Sequence, residues 1–213
     1  GIDGVHLLSA WQDASMIYPL TTGFHWGPLD FQWYIEGCKS RPAYAQNETG
    51  FHDVNRFINL SPHPRSGFQS IPDFVKMELS GGVSELKSPF EVADMLQEHA
   101  DRALKTLALM GAVDQGELAY TLHDIRTMAL LGKYYAHKIT GSTKLALYRE
   151  SKERFYREEA VAELTTALDL WKQYTASSAE QTINPLWTNR VGYVDWENLN
   201  QWAADDIAIA LEE

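Results

Sequence analysis

The sequence predicts an all-α fold: an antiparallel bundle of about four long helices, preceded by a loop-rich region with short helices. Three observations predict it. Apolar residues recur at helical spacing over long stretches after residue 88. Helix start and stop signals bracket those stretches, and strand signals are scarce, with only 190–194 suited to a short strand. Long amphipathic helices joined by short loops pack antiparallel, so we expect an aromatic-rich segment over 1–87 and a bundle over 88–213 in one compact unit.

The first expected helix spans residues 5–18. Its apolar positions at helical spacing are Leu7, Trp11, Ala14 and Tyr18. Pro19 follows and is expected to end the helix, because a proline disfavours helical geometry in the residue before it.

Three short helices are expected in the rest of the first third, over 28–38, 52–59 and 70–79. The last has the clearest boundaries, because Ser70 can cap its start and Gly81 can end it. The loops between these helices are rich in Pro, Gly, Ser and Asn.

The bundle is expected to begin at Ser88, which is followed by Pro89 and by Glu91 at the capping-box position. That helix should run to Met110. A second helix should begin near Gln115, with a seam of residues at heptad spacing along one face. The seam residues are Leu118, Leu122, Ile125, Ala129, Gly132, Ala136 and Ile139.

Two further helices complete the predicted bundle, over 158–179 and 196–211. Asp195 is suited to cap the last one. Its expected inward residues are Leu199, Ala203, Ile207 and Ala210.

Composition limits the possible partners. The chain carries a formal net charge of −11 with scattered Lys and Arg, which argues against binding to nucleic acid or to an anionic membrane surface. No apolar run in the sequence approaches the length needed to span a bilayer. The single cysteine, Cys38, rules out a disulfide within the chain.

Common cofactor motifs are missing from the sequence. It contains no HExxH, no CxxC pair, no phosphate-binding GxxxxGK[ST] loop, no GxGxxG, no GxSxG and no EF-hand loop. We therefore expect neither a metal nor a cofactor.

The segment 24–38 has the most unusual composition. It holds five large aromatic residues, a histidine, two carboxylates and the only cysteine within fifteen residues. Indole faces stack on sugar rings while carboxylates accept bonds from sugar hydroxyls, so the segment is a candidate carbohydrate-binding site. The candidate residues are His25, Trp26, Asp30, Trp33 and Glu36.

Packing offers an alternative for the two carboxylates, with Asp30 as a helix cap and Glu36 exposed on the helix. On a helix these residues would lie about 120° apart around the axis. They would not share a face, which argues against a glycosidase pair formed by these two residues alone.

Several stretches resemble a known kind of protein. They are 11–19 (WQDASMIYP), 25–26 (HW), 30–33 (DFQW), 70–75 (SIPDFV), 129–136 (ALLGKYYA) and 195–196 (DW). Together they resemble the C-terminal helical region that follows the catalytic barrel of large glycoside-hydrolase-like proteins of the α-glucuronidase or hexosaminidase-like kind. In such proteins the catalytic acids belong to the barrel, so the resemblance implies no catalytic residue in this chain. It implies an accessory domain, and a periplasmic or extracellular location.

Three functions remain open at this point. The first is a non-catalytic helical domain of a larger carbohydrate-active protein, buttressing the barrel or supplying aromatic residues to a glycan site. The second is an independent helical module that binds carbohydrate or acts as a scaffold. The third is a small glycosidase using His25, Asp30 and Glu36. The expected partners are a glycan or oligosaccharide, the catalytic barrel of the same protein, and a second copy of the chain. Because the sequence opens at Gly1, we also expect it to be a piece of a longer protein.

Overall fold

The computed structural model describes residues 4–25, 51–113, 115–188 and 192–213, and it confirms the all-α prediction. Within these ranges the regular secondary structure is helical apart from one small antiparallel sheet, and loops join the elements. The elements are α1 Gly4–Ser15, α2 Ile17–Phe24, α3 Val54–Asn59, α4 Ile71–Ser80, α5 Pro89–Leu109, α6 Glu117–Ser151, α7 Arg154–Ala179, β1 Leu186–Thr188, β2 Gly192–Val194 and α8 Trp196–Leu211. The helix expected over 28–38 lies outside the described residues.

Helix α6 is the centre of the fold. It has 35 residues and packs against α1, α2, α3, α4, α5 and α7. Most of the predicted seam is buried, but so are residues on other faces of the same helix, including Tyr134, Tyr135 and Leu145. The expectation of one apolar face was therefore too narrow, because a helix with neighbours on several sides buries residues on more than one face.

The first helix differs from its prediction at its end. The chain turns at Met16, and α2 then continues through Pro19 to Phe24. Pro19 lies in the first turn of α2, where a missing N–H breaks no helical hydrogen bond, so the proline is tolerated there.

The apolar residues at helical spacing in the predicted helix 5–18 are not all buried. Trp11 and Tyr18 are about half exposed, at 50% and 52%. The buried positions of the α1–α2 segment include Ala10, Ala14 and Ile17. Small side chains allow this segment to lie close to α6, where a Cβ added to Gly132 would be 2.4 Å from Ile17 Cδ1.

The predicted helix ends are mostly confirmed. Ser70 caps α4, and Gly81 ends it in the left-handed conformation. Ser88 and Glu91 form the capping box of α5, with Glu91 Oε2 accepting a bond from the Ser88 N–H at 2.7 Å. Asp195 caps α8. These signals are local, so they hold whatever the packing around them.

The close approach of α2 to α6 generates a prediction. We expect Gly132→Ala to lower the free energy of unfolding by about 1–3 kcal/mol, because the new methyl group overlaps the stiff side chain of Ile17 in a packed core. In an Ile17→Ala background the same change should be stabilising or neutral, since the overlap is gone and alanine favours helix. Chemical denaturation of the four proteins in this cycle measures the coupling. Additive effects would contradict the predicted overlap, and Gly4→Ala, with open space around it, is the control.

Candidate functional site

A buried ion pair joins α6 to α8. Lys138 is fully buried and Asp206 is 2% exposed, and the Lys138 Nζ lies 2.8 Å from Asp206 Oδ2. The same Nζ donates a hydrogen bond to the backbone carbonyl of His52 at 2.5 Å. The other carboxylate oxygen, Oδ1, accepts a bond from the Val54 N–H at 2.9 Å. The pair therefore connects three parts of the chain: α6, α8 and the start of α3.

Aromatic rings surround the lysine of this pair. Its Nζ lies 4.4 Å from the ring centroid of Phe51, 4.6 Å from that of Phe57 and 5.6 Å from that of Tyr134. The negative face of an aromatic ring attracts a cation, and the attraction is stronger where water is excluded. The rings thus offset part of the cost of removing the ammonium group from water.

Burial raises the pKa of Asp206, because removal from water penalises the carboxylate more than its partners favour it. Lys138 and the Val54 N–H act in the opposite direction. The carboxylate is thus a buried group that depends on the ammonium beside it.

Two histidines lie beside the pair. Burial lowers the pKa of both His25 and His52, and the positive charge of Lys138 lowers it further. The His25 ring packs on Phe57, with centroids 3.8 Å apart, and on Phe24, with centroids 4.7 Å apart. Both imidazoles are therefore neutral at pH 7, and the Lys138–Asp206 pair with these histidines forms what we call the buried polar cluster.

Of the five predicted carbohydrate-binding residues, the structure describes only one. His25 is in the interior, with 2% of its surface exposed. Trp26, Asp30, Trp33 and Glu36 lie outside the described residues. The carbohydrate-binding role of these five residues stays a prediction.

Sequence reasoning missed Lys138 and Asp206. A signal for Asp206 was present, because it falls at helical spacing between Ala203 and Ala210 on the inward face of α8. A carboxylate on a buried stripe requires a partner, which would have directed attention to a buried cation. Ile207, which was predicted to face inward, is only partly buried.

A groove with aromatic walls lies on the surface between α1, α2 and α6. It has a volume of about 350 Å³ and its accessible surface is mostly apolar. Its lining residues are Trp11, Ala14, Ser15, Tyr18, Asp124, Ile125 and Met128. We call it the Trp11 groove.

A second groove, of about 490 Å³, lies between α5, α6 and α7. Three of its ionisable lining residues are paired: His137 Nδ1 lies 2.7 Å from Glu163 Oε2, and Lys144 Nζ lies 2.6 Å from Glu159 Oε2, while Asp94 is exposed. The hydrogen bond from His137 lowers the pKa of Glu163. These pairs hold α6 and α7 together along the groove.

The described residues show neither a metal-ligand cluster nor a membrane-spanning helix. No three His, Cys, Asp or Glu side chains among them converge as ligands of a metal ion. None of the described helices is long and apolar enough to cross a membrane.

Comparison with known proteins shows the fold. No family model matches the sequence, and no curated protein matches it. Among solved structures, the chain is similar to a GH138 enzyme targeting pectin rhamnogalacturonan II, with a TM-score of 0.72 and 13% sequence identity. The match covers 97% of this chain and 31% of that chain, so the chain spans about a third of the enzyme's length. The chain thus shares its helical fold with part of a glycoside hydrolase.

The buried ion pair leads to a stability prediction. We expect Lys138→Met to lower the free energy of unfolding by about 3–5 kcal/mol, because it leaves the Asp206 carboxylate buried without its cation. Adding Asp206→Leu should recover part of the loss by removing that charge. The matched control is Lys133→Met, which breaks an ion pair with the exposed Asp101 and should cost less than about 1 kcal/mol. Denaturant unfolding measures all three; equal losses for Lys133→Met and Lys138→Met would contradict the account.

The buried histidines lead to a prediction about pH. Because the pKa of His25 is lowered in the folded chain, the unfolded chain binds the imidazole proton more readily. Protonation therefore favours unfolding. The folded state has its full stability above the ordinary pKa of 6.5 and loses stability as the pH falls from there through the folded pKa. The free energy of unfolding should therefore fall from about pH 7.5 to about pH 5.5. His25→Phe should reduce this slope, since Phe cannot take up a proton.

The raised pKa of Asp206 has the opposite sign, because it favours the folded state at lower pH. Asp206 is present in both proteins, so the difference between their slopes isolates His25. Identical slopes in urea unfolding would show that His25 does not titrate differently in the folded and unfolded states.

Proposed function

We propose that this chain is a helical, non-catalytic domain of a larger carbohydrate-active protein, and that it acts by presenting an aromatic surface to a glycan. The observation that carries the proposal is the fold match, in which 97% of this chain corresponds to 31% of the chain of a glycoside hydrolase. A fold that occurs as a segment of such an enzyme is suited to work beside a catalytic domain.

The burial of the polar cluster supports a structural role for it rather than a catalytic one. The four titratable residues of the buried polar cluster are almost completely removed from solvent: Lys138, Asp206, His25 and His52. A reacting group must reach its substrate. This cluster therefore supports packing rather than turnover.

The outward side of α1 supports a binding role. On α1 Val5 is 72% exposed and Leu8 is 68% exposed, and Trp11 of α1 and Tyr18 of α2 are about half exposed. A helix on the surface of a domain normally presents polar side chains to water. Several exposed apolar side chains close together therefore indicate a surface that another molecule covers. Val5 and Leu8 are suited to contact a neighbouring barrel domain, and the two aromatic residues are suited to contact a sugar.

The Trp11 groove also favours a second candidate, an independent helical carbohydrate-binding module. In that case the isolated chain would bind glycan without any other domain. The two candidates differ in whether the barrel is needed to complete the site.

The proposal predicts that the chain binds oligosaccharides, by itself or joined to a catalytic barrel domain, and that it hydrolyses none. Isothermal titration calorimetry against neutral and acidic plant oligosaccharides should show binding, and aryl-glycosides should show no turnover above background. Turnover that Glu36→Gln abolishes would contradict the proposal in favour of the small glycosidase. Failure to bind any glycan, both alone and joined to a catalytic barrel domain, would contradict the carbohydrate role itself.

A further inference from the structure

We infer that the Trp11 groove is a binding site for an uncharged pyranose unit of a glycan. The inference rests on the proposed function and names its site and ligand class. The groove lies on the first, second and sixth helices, outside the five residues that the sequence singled out. Its volume of about 350 Å³ is within the range of small-molecule sites, near the lower end, which suits one or two sugar rings.

The two aromatic side chains provide stacking surfaces. Trp11 and Tyr18 line the same groove from consecutive helices, and each keeps about half of its surface exposed. Trp and Tyr combine a large apolar face with a polar edge, so they suit a ligand with C–H faces and hydroxyl edges. The floor is apolar, with Ala14, Ile125 and Met128. A sugar ring lying against this floor would exclude water from it.

One carboxylate and one hydroxyl provide the polar contacts. Asp124 is exposed beside the rings, and it has no ion-pair partner in the described part of the chain. The Ser15 hydroxyl donates to the Gln12 carbonyl at 2.8 Å, so its oxygen remains able to accept a bond. Sugar hydroxyls donate to both groups. An apolar protein segment in the groove would instead remove the Asp124 carboxylate from water without a partner, which is costly.

The charge of the groove sets the ligand class. Asp124 is its charged lining residue, and none of the described lining residues is Lys, Arg or His. The whole chain carries a net charge of −11. A uronate or a sulfated sugar would meet a carboxylate without a compensating cation, so the site discriminates against acidic rings.

The test uses calorimetric titration of the intact chain with matched pairs of oligosaccharides that differ only in a hydroxymethyl or a carboxylate group on the ring. The wild type should bind the neutral member more tightly. Trp11→Ala and Tyr18→Ala should each weaken binding by about tenfold, and Asp124→Asn by a similar factor. All three positions are on the surface, so thermal melts should stay close to wild type. The matched control is Trp187→Ala, which removes an equally exposed indole from β1 and should leave binding unchanged.

Each contrary result has a distinct meaning. Glycan binding that survives both Trp11→Ala and Tyr18→Ala overturns the site, while the proposed function stands with its glycan bound elsewhere. Tighter binding of the acidic oligosaccharide overturns the ligand class. Concentration-dependent dimerisation of the chain that Trp11→Ala abolishes, without an effect of sugar, overturns the inference in favour of a protein partner in the groove. Wild-type chain that binds no sugar by itself overturns the inference. The glycan-presenting role is overturned only if the chain joined to a catalytic barrel domain also binds none.

Discussion

The structure depends on one buried interaction, the ion pair between Lys138 and Asp206. Two charges removed from water are costly, so such a pair persists only where further groups complete it. Here the His52 carbonyl, the Val54 N–H and three aromatic rings do so. The pair and these groups together come from the centre of α6, from α8 near the far end of the chain, and from the segment 51–57. The charges are therefore compensated only when all three segments are in place, which makes the short helices of the first third part of the same folded unit as the bundle.

The arrangement around α6 also determines which surfaces face outward. The segment 51–54 and α8 meet α6 at the ion pair, while α2 approaches it at Gly132, where no side chain is present. With Ala10, Ala14 and Ile17 buried in this packing, Trp11 and Tyr18 stay about half exposed beside α6 and line the groove. The aromatic surface that we assign to glycan binding thus follows from the way the first helix packs. The second groove is lined by several charged residues, of which His137, Lys144 and Glu163 are paired between α6 and α7. The surface of the Trp11 groove is mostly apolar, which makes it the better candidate for an uncharged ligand.

The parts of the fold that the sequence predicted correctly depend on local chemistry. Capping residues such as Ser70, Ser88 and Asp195 act on the backbone beside them, so their effect does not depend on distant residues. The orientation of α1 could not be predicted in this way, because apolar side chains occur on both of its sides and the choice depends on Gly132, more than a hundred residues away. The ion pair was missed for a related reason: Asp206 lies on the inward stripe of α8, but nothing in the sequence near it identifies Lys138 on α6 as its partner. The predicted site and the Trp11 groove have in common only that the candidate residues and the two aromatic residues of the groove lie in the first third of the chain.

The central claim is that the buried polar cluster and the bundle form one cooperative unit, and amide hydrogen exchange of Val54 tests it most directly. This amide donates to Asp206 and lies at the start of a helix of six residues, which would exchange quickly by itself. The account predicts that the Val54 amide exchanges as slowly as the most protected amides of α6, through global unfolding. Rapid exchange at Val54 while the centre of α6 stays protected would contradict it.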